Sequence, residues 1–242
     1  MKLFHHCLST ISLLGTSVIG ASLIGNSPAQ AIPEAQVIAK LQNIPVYVIT
    51  DAKGTIVEAR ISSQGKNPSP QVSTGVFFTE QDARTFVEKN LKLQQPELGK
   101  VVKVTPVSLG EIYRRQQANK NKPQELNYVY VPTAQQSSSA LAILNRSGQK
   151  LTQINGSPVF IATVKSKSGK DEYLTFQRDN REIVPIFFSE VALRASIKKV
   201  YPNLTSKINI QVVELNDLLG YMTSKNDAVI SAFEFNSNME SK

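Results

Sequence analysis

Cysteine and histidine are nearly missing from this sequence, and all of both sits at the N-terminus. The 242 residues hold one Cys, two His and no Trp. The three are His5, His6 and Cys7. Residues 1–31 read as an export signal. Lys2 gives a short basic start, Leu13, Leu14, Val18, Ile19, Leu23 and Ile24 an apolar core, and Ala29-Gln30-Ala31 the small-x-small cleavage pattern. Cleavage before Ile32 removes every Cys and His and leaves 242 less 31, or 211, residues. Such a chain has no Ser-His-Asp triad, no Cys-His pair and no thiolate. Zinc, which in nearly all sites takes His or Cys ligands, is not expected. With no disulfide available, burial of apolar surface must hold the fold. The sequence carries no GxGxxG, no phosphate-binding GxxxxGK[ST] and no EF-hand loop. No residue is assigned a catalytic, cofactor-binding or metal-binding role.

Charge is present but not patterned. Without Lys2, 26 Lys and Arg face 19 Asp and Glu, a net charge of +7. The cations cluster loosely at Lys165/Lys167/Lys170, at Arg114/Arg115 with Lys120/Lys122, and at Lys198/Lys199. There is no basic stripe interleaved with aromatics, so nucleic acid is not an expected partner. Peripheral contact with anionic lipid or acidic protein fits better. Beyond the signal, no run is long and apolar enough to span a bilayer.

What the sequence does have is self-similarity. Ile44-Pro45-Val46-Tyr47-Val48-Ile49-Thr50 matches Ser157-Pro158-Val159-Phe160-Ile161-Ala162-Thr163. Val76-Phe77-Phe78-Thr79-Glu80 matches Ile186-Phe187-Phe188-Ser189-Glu190, with Arg84 and Arg194 at equal distance beyond. Pro96-Glu97-Leu98 and Val107 to Ile112 pair with Pro202-Asn203-Leu204 and Val213 to Leu218. The offset drifts from 113 through 110 to 106 residues, as small loop deletions would produce. The expected fold class is therefore α+β, with two sequence-related half-domains packed about a pseudo-twofold axis. The expected division is a signal at 1–31, an amphipathic helix at 32–42, a first repeat at 43–150 and a second at 151–242.

Each copy reads as strand, turn, strand, strand, helix, strand, short helix, strand. Thr79 and Ser189 are natural N-caps, each followed by a first-turn glutamate. Glu80/Arg84 and Glu190/Arg194 have the spacing of i,i+4 ion pairs. Pro96 and Pro202 are expected to end the main helices. Further strands are expected at 55–61 and 173–177, and a further helix over 135–144. Exposed loops are expected at 64–70 and 116–124.

The aromatics concentrate on the strands. In each Phe-Phe pair the two rings must point to opposite faces of a sheet. One face packs on helices; an incompletely covered second face becomes an apolar groove. The candidate groove residues are Tyr47, Ile49, Phe77, Phe160 and Phe187.

These segments carry a family resemblance. Ile44 to Asp51, Gly75 to Ala83, the Val-Pro…Gln-Gln stretch Tyr130 to Gln136, and Ser157-Pro158-Val159-Phe160, Ile183 to Ser189 and Ile208 to Val213 resemble the Tic22-like family. That family comprises the soluble component of the chloroplast inner-envelope translocon and its cyanobacterial relatives. The resemblance covers nearly the whole mature chain and offers no active-site residues to carry over. It implies a chaperone-like transport factor in the periplasm or thylakoid lumen. Its groove would hold unfolded or precursor polypeptides, outer-membrane precursors among them, and it would meet an Omp85-type insertase. The alternative is a non-catalytic adaptor docking on a membrane complex. A carboxylate-dependent hydrolase would need two converging acids, which no spacing here enforces.

Overall fold

Alternating apolar positions and proline-marked strand starts build two antiparallel-centred sheets. The structure, a computed structural model, describes residues 31–62, 70–122, 125–166, 168–225 and 227–237. Residues 1–30 of the expected signal and 64–69 of the loop expected at 64–70 lie outside the described residues, and Pro70 opens a strand instead.

The chain enters through α1 (Glu34–Leu41). The first sheet contains β1 (Pro45–Thr50), β2 (Ala59–Ser62), β3 (Pro70–Phe77), β4 (Lys103–Ser108) and β5 (Leu126–Val131). Its order is β2-β3-β1-β4, with β5 parallel to β3. The second sheet contains β6 (Pro158–Lys165), β7 (Asp171–Tyr173), β8 (Phe176–Arg178), β9 (Arg181–Phe187), β10 (Ile208–Glu214) and β11 (Phe233–Asn236). Its order is β10-β6-β9-β11, with β11 parallel to β9. Both sheets thus run edge strand, antiparallel pair, then a parallel last strand. Registers correspond as well. Tyr47 lies opposite Phe77 and Pro106, and Phe160 lies opposite Phe187 and Val212.

Helices α2 (Glu80–Phe86) and α7 (Glu190–Val200) follow the two Phe-Phe pairs, capped by Thr79 and Ser189. Helices α5 (Leu109–Asn119) and α8 (Leu215–Ser224) follow the edge strands, capped by the Ser108 and Glu214 side chains. Both i,i+4 pairs form, Arg84–Glu80 at 2.5 Å and Arg194–Glu190 at 2.6 Å.

The two-residue period of a strand sorts the side chains. Val46, Val48, Val76 and Phe78 of the first half and Val159, Ile161, Val184, Ile186 and Phe188 of the second enter one shared core. Helices α1, α5 and α8 contribute Val37, Leu41, Leu109, Ile112, Leu215, Leu218 and Met222 to it. Lys40 clasps α1 to the second sheet, its Nζ donating to the carbonyls of Phe233 (2.8 Å) and Ser231 (3.0 Å).

Several boundaries differ from the sequence reading. Pro96 does not end the helical run. After α2 the chain makes a π-helical turn, Val87–Leu91, then α3 (Lys92–Gln94), and Pro96 opens α4 (Pro96–Val101). Proline suits a first helical turn, whose N–H groups have no partner in any case. Gly99 makes this tight reversal possible, because a Cβ there would meet Lys92 Cα at 2.8 Å. Residues 116–119, expected in a loop, extend α5. Tyr130 Oη donates to Gln116 across that helix at 3.2 Å. The expected strand at 173–177 splits into β7, paired with β6, and β8, paired with β9. The expected strand at 55–61 reduces to β2 and an isolated bridge at Ile56.

Candidate functional site

The two outer sheet faces are covered unequally. On the second sheet, two helices lie over Phe160 and Phe187. One is α7, which supplies Ala192, Leu193 and Ile197. The other is α6 (Ala134–Arg146), which crosses from the first half and brings Ala140 and Ile143. Phe160 is 0% exposed as a result. Gln136 explains how α6 is set. Thr133 and Gln136 form a reciprocal capping box, with Thr133 N–H donating to Gln136 Oε1 at 2.8 Å. The start of α6 then rests against Phe188, Ser189 and Glu190 around a recess of only about 10 Å³.

On the first sheet, α2 and its π-helical continuation cover the corresponding face. Ala83 and Val87 seal Ile49 and Phe77. Tyr47, Val104 and Val131 stay half-buried at the edge of that cluster, and Pro106 is exposed. Phe86 packs on Phe77 with ring centroids 5.4 Å apart, yet remains 40% exposed. Beside this face runs a cleft of about 520 Å³, lined by Arg84, Val87, Glu88, Lys92, Gly99, Lys100, Val102, Lys103 and Val104. Its lining includes the aliphatic Val87, Val102 and Val104 and four cations, Arg84, Lys92, Lys100 and Lys103. Arg84, Lys92 and Lys100 pair with Glu80, Glu88 and Glu97. Such solvated pairs contribute about 0–1 kcal/mol each. Lys103 has no carboxylate within salt-bridge distance among the described residues. A wider recess of about 620 Å³ lies where the chain enters, between Ala31–Glu34, Tyr113, Gln117 and Thr223.

The model of the Tic22-like family matches residues 9–233. The chain belongs to that family. It is similar in structure to Anabaena Tic22, a protein of protein transport, with a TM-score of 0.70 and 26% identity, covering 84% of this chain and 92% of that one. It also resembles Tic22 from Plasmodium falciparum, with a TM-score of 0.60 and 20% identity over 83% and 91% of the two chains. At that identity the second likeness speaks for the fold. Comparison with curated proteins gives no match.

The five groove candidates of this Tic22-like chain fall into two groups. Tyr47, Ile49 and Phe77 share the outer face of the first sheet, where Tyr47 alone is partly open. Phe160 and Phe187 face each other on the second sheet, 0% and 1% exposed beneath α6 and α7. Sequence reasoning missed Val102, Val104, Pro106 and the cationic rim. Pro106 was the available signal, because proline within a strand pattern marks an edge. Among the described residues, no helix is long and apolar enough to cross a membrane.

Proposed function

We propose that this Tic22-like protein is an exported transport factor that holds unfolded or precursor polypeptides without ATP. The observation that carries this reading is the half-open apolar face around Tyr47, Val104 and Pro106, continuous with the cleft at Val102. Apolar surface left open on a folded chain gains free energy when a guest covers it. The protein-transport role of Anabaena Tic22 supports the assignment. The signal-like N-terminus supports delivery to the periplasm or thylakoid lumen, where outer-membrane precursors and an Omp85-type insertase would be met. The reading takes the two halves as copies about a pseudo-twofold axis near Phe78 and Phe188. Their matching strand orders support this.

The test is suppression of aggregation of an unfolded outer-membrane barrel protein. Wild type is expected to delay aggregation at near-stoichiometric ratios. Tyr47→Asp is expected to lose most of that effect with an unchanged circular dichroism spectrum. No suppression by wild type, with binding to one folded partner instead, would make the protein an adaptor.

A further inference from the structure

Resting on the client-holding reading, we propose that the open face of the first sheet is a seat for a helix. Its occupant is an amphipathic helix with acidic flanks, docked where α6 lies on the second sheet.

The template is inside the molecule. Phe160 and Tyr47 are equivalent by register, each paired with a phenylalanine on one side and the edge strand on the other. Over Phe160, α6 supplies Ala140 and Ile143 and closes the face. Over Tyr47 no second helix lies among the described residues, and the face stays half-open. A helix of α6's 13 residues would be about 20 Å long, enough to run from Tyr47 to the cleft at Val102.

The edge strand selects helix over strand. Leu109 N–H donates to Ile44 O at 2.8 Å, which fixes the parity of the β1–β4 ladder. The pair Tyr47–Pro106 is then a non-hydrogen-bonded one, so Pro106 points its backbone nitrogen away from β1. That nitrogen carries no hydrogen. An extended guest adding to β4 would lose a central ladder bond, as edge prolines ensure elsewhere. Val212 occupies the corresponding place on β10. A guest helix satisfies its own backbone and asks nothing of the edge.

Charge selects the guest. Of the cations that line the cleft, Arg84, Lys92 and Lys100 are paired with Glu80, Glu88 and Glu97, and Lys103 is left without a carboxylate among the described residues, so the site carries one uncompensated positive charge. A guest whose polar flanks carry Asp and Glu is attracted, and one with Lys there is repelled.

The experiment uses the full mature protein and three labelled peptides of α6's length. One has an apolar stripe at i, i+3, i+4, i+7 with glutamates on the flanks. The second replaces those glutamates by lysine, and the third places a proline at the centre of the first. The acidic peptide is expected to bind by fluorescence anisotropy, to gain helical circular dichroism on binding, and to weaken as salt rises. The lysine and proline peptides are expected to bind at least about tenfold more weakly. Lys103→Glu, an exposed change that leaves the fold alone, is expected to weaken the acidic peptide by a similar factor. Equal binding of the proline peptide overturns the helical mode, and indifference to Lys103→Glu overturns the charge selection. Self-association that the acidic peptide displaces would assign the seat to a second copy instead. If no peptide binds while aggregation suppression persists and depends on Tyr47, the helix seat fails and client holding stands. If suppression is also absent, both fall.

Discussion

Phe78 and Phe188 meet ring to ring, with centroids 5.0 Å apart and planes tilted by 35°. Each is the second phenylalanine of its Phe-Phe pair, so each points inward while Phe77 and Phe187 point outward. Tyr130 lies 6.4 Å from Phe78, and Phe235 lies 6.1 Å from Phe188. The two sheets therefore touch through equivalent side chains and share one core. Truncating either ring to alanine should cost about 3–5 kcal/mol. The double mutant should reveal a coupling of about 0.5–1.5 kcal/mol, as for other aromatic pairs. Denaturant unfolding followed by far-UV and near-UV signals should remain one transition. Two separable transitions would show that the halves fold independently.

Gly110 lies in the first turn of α5, where replacing glycine by the better helix former alanine would ordinarily be neutral or stabilising, by up to about 1 kcal/mol. Here the sign should reverse. A Cβ at that position would meet the Ile38 carbonyl at 2.7 Å and the Gln42 side chain at 2.9 Å. α1 crosses α5 at backbone contact, so Gly110→Ala must push the two apart. The expected result is a loss of about 1–3 kcal/mol, the range for overpacked sites, with α1 amides exchanging faster. A stabilised Gly110→Ala protein would refute this close crossing.

Much of this was legible in the sequence, for identifiable reasons. Pro45 and Pro158 mark equivalent strand starts, and the Phe-Phe blocks fix which side chains face in. Thr79 and Ser189 announced two helix starts, since a hydroxyl there satisfies an otherwise unpaired backbone donor. The unequal covering of the two outer faces was not legible. The helix at α6 could be read from Ala140, Leu141 and Leu144, but periodicity does not say which sheet a helix will cover. Its crossing to the second half buries Phe160 and leaves Tyr47, its register equivalent, half-open. The π-helical turn at Val87–Leu91 also left no signal, because one extra residue in a helix alters no composition.

Acid should weaken the protein partly through Glu111. Its carboxylate accepts from Arg114 Nε and Nη2 at 2.8 Å and from Arg115 Nε at 2.6 Å. The hydrogen bonding from Arg114, ahead of the single bond from Arg115, holds its pKa near 2, below the ordinary 4.5. A carboxylate with a depressed folded pKa stabilises fully above its unfolded value and loses that contribution as pH falls through the folded one. The relevant window is thus from about 4.5 down to about 2. Glu111→Gln should lower stability at pH 6 by about 1 kcal/mol or less, given its partly solvated setting. It should also flatten the decline below pH 4.5. Glu214 acts in the opposite sense, because burial raises its pKa. Glu214→Gln should therefore leave the Glu111 window in place.

The unequal covering predicts unequal costs for one and the same truncation. Phe160 is enclosed by α6, α7 and Phe187, so Phe160→Ala leaves a cavity that neighbours cannot fill and should cost about 3–5 kcal/mol. Tyr47 has solvent on one side, and water can enter the space its ring leaves. Its apolar contacts reach only the rim of the cluster at Ile49 and Phe77. Tyr47→Ala should therefore cost less than half as much as Phe160→Ala, measured by urea unfolding with equal m-values. Tyr47→Phe should be close to neutral, since no hydrogen bond holds its hydroxyl among the described residues. Equal losses at the two positions would mean that Tyr47 is enclosed as tightly as Phe160. No seat would then remain beside it for a guest.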